Sequence, residues 1–160
     1  MGIALRAAKR APASTLAGLA LASLVLGTLV YLSRPAGALF LSLELTAPFK
    51  HSLPAVFGPL GGSLPSFTHA FGFTLLSALA LGVSRRTALL SAALWLGVET
   101  LFEVGQHASV AAQSEFLGPR YARYFQSGTF DPYDLTACTV GVGLALLALY
   151  FACLRKESDV

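Results

Sequence analysis

The sequence predicts an all-α protein, a four-helix transmembrane bundle with a long extracytoplasmic loop between the first and second spans. Of its 160 residues, 55% are hydrophobic and only 12% are charged, whereas a soluble domain carries about 25% charged residues. The mean hydropathy is +0.68. Four apolar runs approach the ~20 residues that a helix needs to cross a bilayer. Residues 1–160 are therefore predicted to form a single membrane domain.

The predicted spans differ in how clearly the sequence marks them. The first covers about residues 13–33 and follows a short basic segment. A signal peptide is the alternative, because the sequence AGA at Ala36–Ala38 resembles a cleavage site, but the apolar run exceeds the usual ~7–15-residue signal core. An uncleaved span is therefore favoured. The other spans are predicted at about 65–83, 87–106 and 133–154.

Two segments between the spans are long. Residues 34–64 contain four prolines and the sequence GPLGG, which disfavour regular helix. Their aliphatic content predicts a loop that packs over the outer face of the bundle, with helical turns or re-entrant pieces. Residues 106–130 are predicted to form a polar and aromatic loop whose tyrosines and phenylalanines lie at the outer membrane surface.

The lysines and arginines predict the orientation, because cytoplasmic segments of membrane proteins carry the excess of these residues. With the N-terminus inside, seven lie on short cytoplasmic segments and four on the two long outer loops. Both termini are therefore expected on the cytoplasmic side of the membrane. The inner set is Arg6, Lys9, Arg10, Arg85, Arg86, Arg155 and Lys156, and the outer set is Arg34, Lys50, Arg120 and Arg123.

Small basic clusters between apolar runs are typical of membrane proteins, so the net charge of +3 does not indicate nucleic-acid binding. The sequence contains no P-loop and no GxGxxG motif. Cys138 and Cys153 would lie roughly 22 Å apart on one helix, too far for a disulfide. The sequence identifies no cofactor and leaves the presence of a metal open.

The predicted topology brings the unusual polar residues to the outer side. On the third span, Glu99, Glu103 and Gln106 share one helix face because of their i, i+4, i+7 spacing. An ionised acid in the hydrocarbon costs on the order of 2.5–3.5 kcal/mol, so this face is expected to turn toward the bundle interior or a wet cavity. The alternative is that both acids stay protonated or reach outward. His69 and His107 lie near the same side.

The sequence FDPYD precedes the fourth span and has two interpretations. Asp131 is a good N-cap, Pro132 suits the first helical position, and Asp134 occupies the third position, so capping alone explains the pattern. Alternatively, Asp131 mainly caps the helix while Asp134 faces the polar cluster. Arg120 and Arg123, in the preceding loop, either bind lipid phosphates or are simply solvated.

Three motifs together resemble the VanZ-like family of small bacterial membrane proteins. They are SFTHAFGFTLL opening the second span, ETLFEVGQ ending the third, and GTFDPYDLTACTVGVGLAL opening the fourth. The resemblance covers roughly residues 65–149. Ser66 and Phe67 stand where the family commonly has an Asp-Lys pair, and Ala137 and Cys138 stand near a usual Asn. The resemblance implies a link to glycopeptide resistance. It also implies that the characteristic positions of the family are His69, Glu103, Gln106, Asp131 and Asp134.

Three functions are consistent with the predicted spans, the polar residues and the family resemblance. The first is an envelope enzyme or lipid-modifying protein that acts on a lipid-linked precursor. The second is a non-catalytic assembly or interaction protein in the bilayer. The third is a small transporter, which is least favoured because the sequence lacks the broken-helix repeat that is expected of transporters. Whether the protein is an enzyme is left open. For the first function, the catalytic candidates are His69, Glu103 and Asp134, and the substrate-binding candidates are Glu99, Gln106, His107, Asp131, Arg120 and Arg123.

Overall fold

A computed structural model describes residues 13–33 and 61–154, and the all-helical class is confirmed for these residues. A 3₁₀ turn lies at Ser114–Leu117, and a π-helical turn at Tyr150–Leu154 extends the last helix. Most of the predicted loop at 34–64 lies outside the described residues. The helices are α1 (Ala13–Ser33), α2 (Leu64–Ala80), α3 (Arg85–Gly105), α4 (Ala108–Ala111), α5 (Pro119–Ser127) and α6 (Pro132–Leu149).

Three of these helices are long and apolar enough to cross a membrane, namely α1, α3 and α6 with its π-helical extension. The second predicted span is shorter, because α2 has 17 residues. At ~1.5 Å of rise per residue it is about 26 Å long, slightly less than the ~30 Å hydrocarbon core of a bilayer. The helix lengths therefore support a membrane protein with three candidate spans, and the second predicted span stays a prediction.

Helix α2 lies at the centre of the bundle and packs against α1, α3 and α6, while α3 also packs against α6. The chain reverses direction at each long helix, so α2 is antiparallel to α1 and α3 and parallel to α6. Buried contacts follow this order. At one end, Leu16 of α1, Ala78 of α2, Ala88 of α3 and Leu149 of α6 form one apolar cluster.

Glycines allow the close approach of α2 to its neighbours. A Cβ at Gly72 would lie 2.7 Å from the Leu24 side chain, and one at Gly141 would lie 2.5 Å from the Phe67 carbonyl oxygen. Small residues permit such contacts in membranes, where van der Waals packing replaces the hydrophobic effect between helices. In contrast, a Cβ at Gly143 would meet nothing within 4 Å.

The outward faces of the long helices are apolar and exposed. On α3, Leu89, Leu90, Leu94 and Leu101 are each more than half exposed. A contiguous exposed apolar surface of this kind is unfavourable in water and marks a surface that contacts protein or membrane. The composition and the surface of the bundle therefore both favour lipid as its surroundings.

The turn between α2 and α3 differs from the sequence prediction. Arg85 and Arg86 were expected in the turn, but α3 begins at Arg85. The reason is a capping box, in which the Ser84 hydroxyl accepts from the Thr87 backbone N–H at 3.1 Å and the Thr87 hydroxyl accepts from the Ser84 N–H at 2.9 Å. Gly82, with φ of +80°, makes the turn itself.

The segment predicted as a loop at 106–130 is largely helical. It contains α4, the 3₁₀ turn and α5, which contact one another. Gly118 separates the last two with φ of +89°, a conformation that glycine adopts without strain, and Pro119 then starts α5. Alternating short helices and breaks lack the periodicity by which longer helices are recognised in a sequence.

The predicted orientation can be tested by cysteine labelling in intact cells. With Cys138 and Cys153 replaced by alanine, Arg86→Cys should resist a membrane-impermeant maleimide, because it lies at the predicted cytoplasmic end. Thr129→Cys, at the opposite end of the bundle, should react. Labelling of both after permeabilisation controls for accessibility, and the reverse pattern in intact cells would show that the orientation is inverted.

Candidate functional site

The predicted acid Glu103 lies where α3 ends beside the start of α6. Only 7% of its surface is exposed, and its carboxylate accepts a hydrogen bond from the backbone N–H of Asp131. Asp131 caps α6 by accepting from the Tyr133 backbone N–H at 2.9 Å. Because the first N–H groups of a helix lack intrahelical partners, the two carboxylates complete the N-terminus of α6. They also join the two helix ends.

Further carboxyl groups lie close to Glu103. Glu99, one turn earlier on α3, interacts electrostatically with both Glu103 and Asp134, and Glu103 interacts with Asp134 and Asp131. All three neighbours are partly buried. The structure therefore brings together four of the predicted site residues from two helices, which we call the carboxyl cluster: Glu99, Glu103, Asp131 and Asp134.

Cys138 lies on the α6 face below the carboxyl cluster. It is 2% exposed, its thiol lies 3.7 Å from the Ser66 carbonyl oxygen of α2, and it is within electrostatic range of three of the carboxyl groups. Cys138 closes the inner side of the cluster, between α2 and α6.

His69 lies on α2 at the level of Glu99. Its ring is 5.8 Å from that of Phe73 one turn further along, and Phe73 stacks on Trp95 of α3 at 4.5 Å. Moving one turn toward the carboxyl cluster on each antiparallel helix leads from Phe73 to His69 and from Trp95 to Glu99. The pairing of His69 with Glu103 stays a prediction, and this register adds Glu99 as a second candidate partner.

Gln106 and His107 lie just beyond the carboxyl cluster, where α3 ends. The Gln106 amide donates to the Tyr124 hydroxyl at 3.1 Å. His107 is exposed, its Nδ1 is 2.9 Å from the Ser109 hydroxyl, and its ring meets Phe130 edge-on at 5.7 Å. Both residues thus contact the segment that follows α3. Of the predicted arginines, Arg123 is exposed on α5, and the Arg120 side chain lies outside the described part.

A pocket of about 510 Å³ opens beside the carboxyl cluster, and the sequence did not indicate it. Its wall is shaped by two close contacts: a Cβ at Gly128 would lie 2.3 Å from the Gln106 side chain, and one at Gly105 would lie 2.5 Å from the Phe125 ring. We call it the amide pocket. It is lined by Gln106, His107, Ala108, Ala111, Ala112, Phe125, Gln126, Gly128, Thr129 and Phe130.

The carboxyl cluster can exchange protons. Several carboxyl groups at close range repel one another when all are ionised, so a proton shared among them or a bound positive charge is favoured. Within residues 13–33 and 61–154, no three His, Cys, Asp or Glu side chains are grouped to hold a metal ion. A partly buried carboxyl cluster next to a pocket is suited to general acid–base chemistry.

Comparisons with protein-family models, with curated proteins and with solved structures find no match to this chain.

The register between α2 and α3 at the site depends on Trp95, whose Nε1–H donates to the Ser77 hydroxyl at 2.8 Å. Trp95→Phe should keep the stacking on Phe73 but lower the free energy of unfolding by about 1 kcal/mol through loss of this bond. Ser77→Ala should have a similar effect. In thermal unfolding in detergent, the double variant should cost less than the sum of the two. Strictly additive effects would show that the bond does not contribute.

Proposed function

We propose that this chain is a VanZ-like membrane protein whose carboxyl cluster exchanges protons with the headgroup of a lipid-linked molecule of the cell envelope. The observation that carries the proposal is the position of Glu103. This residue is only 7% exposed, and its carboxyl group accepts one backbone N–H at the start of α6 and adjoins Glu99 and Asp134. Acids placed together within an apolar bundle are costly and typically mark a functional site.

In this proposal Glu103 is the general base. It takes a proton from a hydroxyl group of the substrate or from water, and the neighbouring carboxyl groups of Asp134 and Glu99 share that proton. His69 supports the exchange from α2, and Gln106 binds at the rim. Such a base typically contributes about 10²–10⁴-fold to a reaction rate. Arg120 and Arg123 on α5 are proposed to bind phosphate groups of the lipid or substrate.

The surroundings proposed for this site are the outer face of a bacterial cytoplasmic membrane. Three apolar helices of membrane-spanning length support a membrane location. Exposed aromatic residues on the same end of the bundle, with Phe116 83% and Tyr133 75% exposed, resemble the aromatic belts found at membrane interfaces. Because the sequence motifs resemble the VanZ-like family, we also propose a contribution to glycopeptide resistance.

Expression in a glycopeptide-susceptible bacterium tests the proposal. The native chain should raise the minimum inhibitory concentration of a glycopeptide, and Glu103→Gln should abolish the increase, because glutamine retains the acceptor oxygen but cannot take a proton. Glu157→Gln, which changes an acid at the predicted cytoplasmic end of the chain, is the matched control. Membrane levels of all three proteins are compared by immunoblotting. Full resistance with Glu103→Gln at equal expression would contradict a role as a base.

One observation favours a second function, a non-catalytic assembly or interaction protein. The bond from Asp131 to Glu103 joins two helix ends, which is a structural task that requires no proton exchange. On this alternative, Glu103→Gln keeps the phenotype, and variants of Glu103 that lack an acceptor reduce membrane levels and phenotype together.

A further inference from the structure

The amide pocket shares a wall with the carboxyl cluster. Phe130 lines the pocket and directly precedes Asp131, whose backbone N–H binds Glu103. Gln106 also lines the pocket and follows Glu103 by one helical turn. A group bound in the pocket would therefore lie next to the proposed base.

The lining of the pocket combines four polar side chains with alanine, glycine and aromatic surface, and most of it is apolar. Gln106, Gln126 and Thr129 offer amide and hydroxyl groups that both donate and accept hydrogen bonds. Phe125 and Phe130 add aromatic surface. Among the lining side chains that the structure describes, there is no lysine, arginine, aspartate or glutamate.

The lining offers no lysine or arginine to pair with a phosphate or a carboxylate ligand, and His107 is its one ionisable side chain. A neutral group with several hydroxyls matches the lining better, since each hydroxyl also donates and accepts, and its carbon skeleton can pack on the rings. At about 510 Å³ the pocket is in the size range of small-molecule sites.

The surface around the pocket indicates where such a group comes from. The segment between α3 and α6 exposes large apolar side chains, with Val110 and Leu117 each 43% and Phe116 83% exposed. Exposed apolar side chains of this kind mark surface that contacts protein or membrane, so the segment that lines the pocket also carries surface that favours lipid. A ligand with both a hydroxyl-rich headgroup and acyl chains fits both surfaces.

We infer that the amide pocket binds the neutral sugar headgroup of a membrane lipid and holds it beside the carboxyl cluster. This inference rests on the proposed function, for which it names the substrate class. The phosphate-binding role proposed for Arg123 is separate, because Arg123 lines a neighbouring pocket of about 390 Å³ together with Glu115.

Lipid retention in native mass spectrometry tests the inference. The full chain is placed in phosphatidylcholine nanodiscs that contain either monoglucosyl diacylglycerol or diacylglycerol without the sugar. The glucosyl lipid should be retained about tenfold more, a difference of ~1.4 kcal/mol. Equal retention of the two lipids would overturn the inference.

Two variants locate the binding. Ala112→Phe should fill the pocket from the end of α4 and abolish the preference, and Ala93→Phe, on the exposed face of α3, should keep it. Thr129→Val removes one hydroxyl and should weaken the preference about fivefold. Its matched control is Thr139→Val, whose hydroxyl bonds to the Leu135 carbonyl on α6. An unchanged preference in both pocket variants would place the lipid elsewhere.

A soluble arm identifies the source of the sugar. Methyl glucoside added in excess should not displace the glucosyl lipid, whereas displacement at low concentration would overturn the lipid as ligand in favour of a soluble sugar.

Glu103→Gln separates the inference from the proposed function. If this variant keeps both lipid preference and resistance, the inference stands and the acid–base function fails. If Glu103→Gln loses resistance while the native chain shows no lipid preference, the acid–base function stands and the inference fails.

Discussion

Gly141→Val is expected to prevent assembly of the bundle, whereas Gly143→Val should leave it intact. A Cβ at residue 141 would lie 2.5 Å from the Phe67 carbonyl oxygen and 3.2 Å from the Phe71 backbone nitrogen. Both atoms belong to the backbone of α2, so no side-chain rotation relieves the clash. A loss of at least about 3 kcal/mol follows, the upper part of the range for overpacking.

Gly143 is a demanding control because it lies on the same helix and receives the same side chain. A Cβ there meets nothing within 4 Å, and valine in the middle of an apolar helix is compatible with lipid. Thermal unfolding and size-exclusion chromatography in a mild detergent measure the difference. Two variants of equal stability would show that α2 and α6 do not approach as closely as described.

Glu103→Leu should have the second largest effect on the folded state. Leucine offers no acceptor to the Asp131 backbone N–H, and a buried donor without a partner costs about 1–3 kcal/mol. Glu103→Gln keeps an oxygen in this position and should cost less. The midpoint of thermal unfolding should therefore decrease in the order native chain, Glu103→Gln, Glu103→Leu.

Amide hydrogen exchange at the start of α6 gives an independent measurement. Faster exchange at Asp131 in Glu103→Leu than in Glu103→Gln is expected, because only the first variant releases that N–H. Equal exchange in the two variants and the native chain would show that the bond is absent in solution. This stability series complements the resistance assay, in which Glu103→Gln should already abolish the increase in resistance.

Local sequence signals predicted much of the structure. The apolar runs identified the four long helices, because burial and helical length impose a recognisable pattern. The cap at Asp131 followed from FDPYD, since the preferences of the N-cap and the first helical position depend on the local chain alone. The i, i+4 spacing also placed Glu99 and Glu103 on one helix face.

Features that depend on packing between helices could not be read from the sequence in the same way. The central position of α2 follows from contacts at Gly72 and Gly141, and a glycine in a helix does not reveal which neighbour approaches it. The amide pocket depends on two glycines that lack a Cβ. Gly105 leaves room for the Phe125 ring, and Gly128 leaves room for the Gln106 side chain. The short helices between α3 and α6 have no periodicity of their own.

The parallel arrangement of α2 and α6 has an electrostatic consequence. Each peptide unit carries a dipole, and an aligned helix presents a partial charge of about +0.5 at its N-terminus. Both helices begin at the end of the bundle where the carboxyl cluster lies. At the start of α6 this field favours negative charge on Asp131 and Asp134. Glu99 and Glu103 instead lie near the C-terminal end of α3, where the partial charge is negative. The two halves of the carboxyl cluster therefore experience backbone fields of opposite sign.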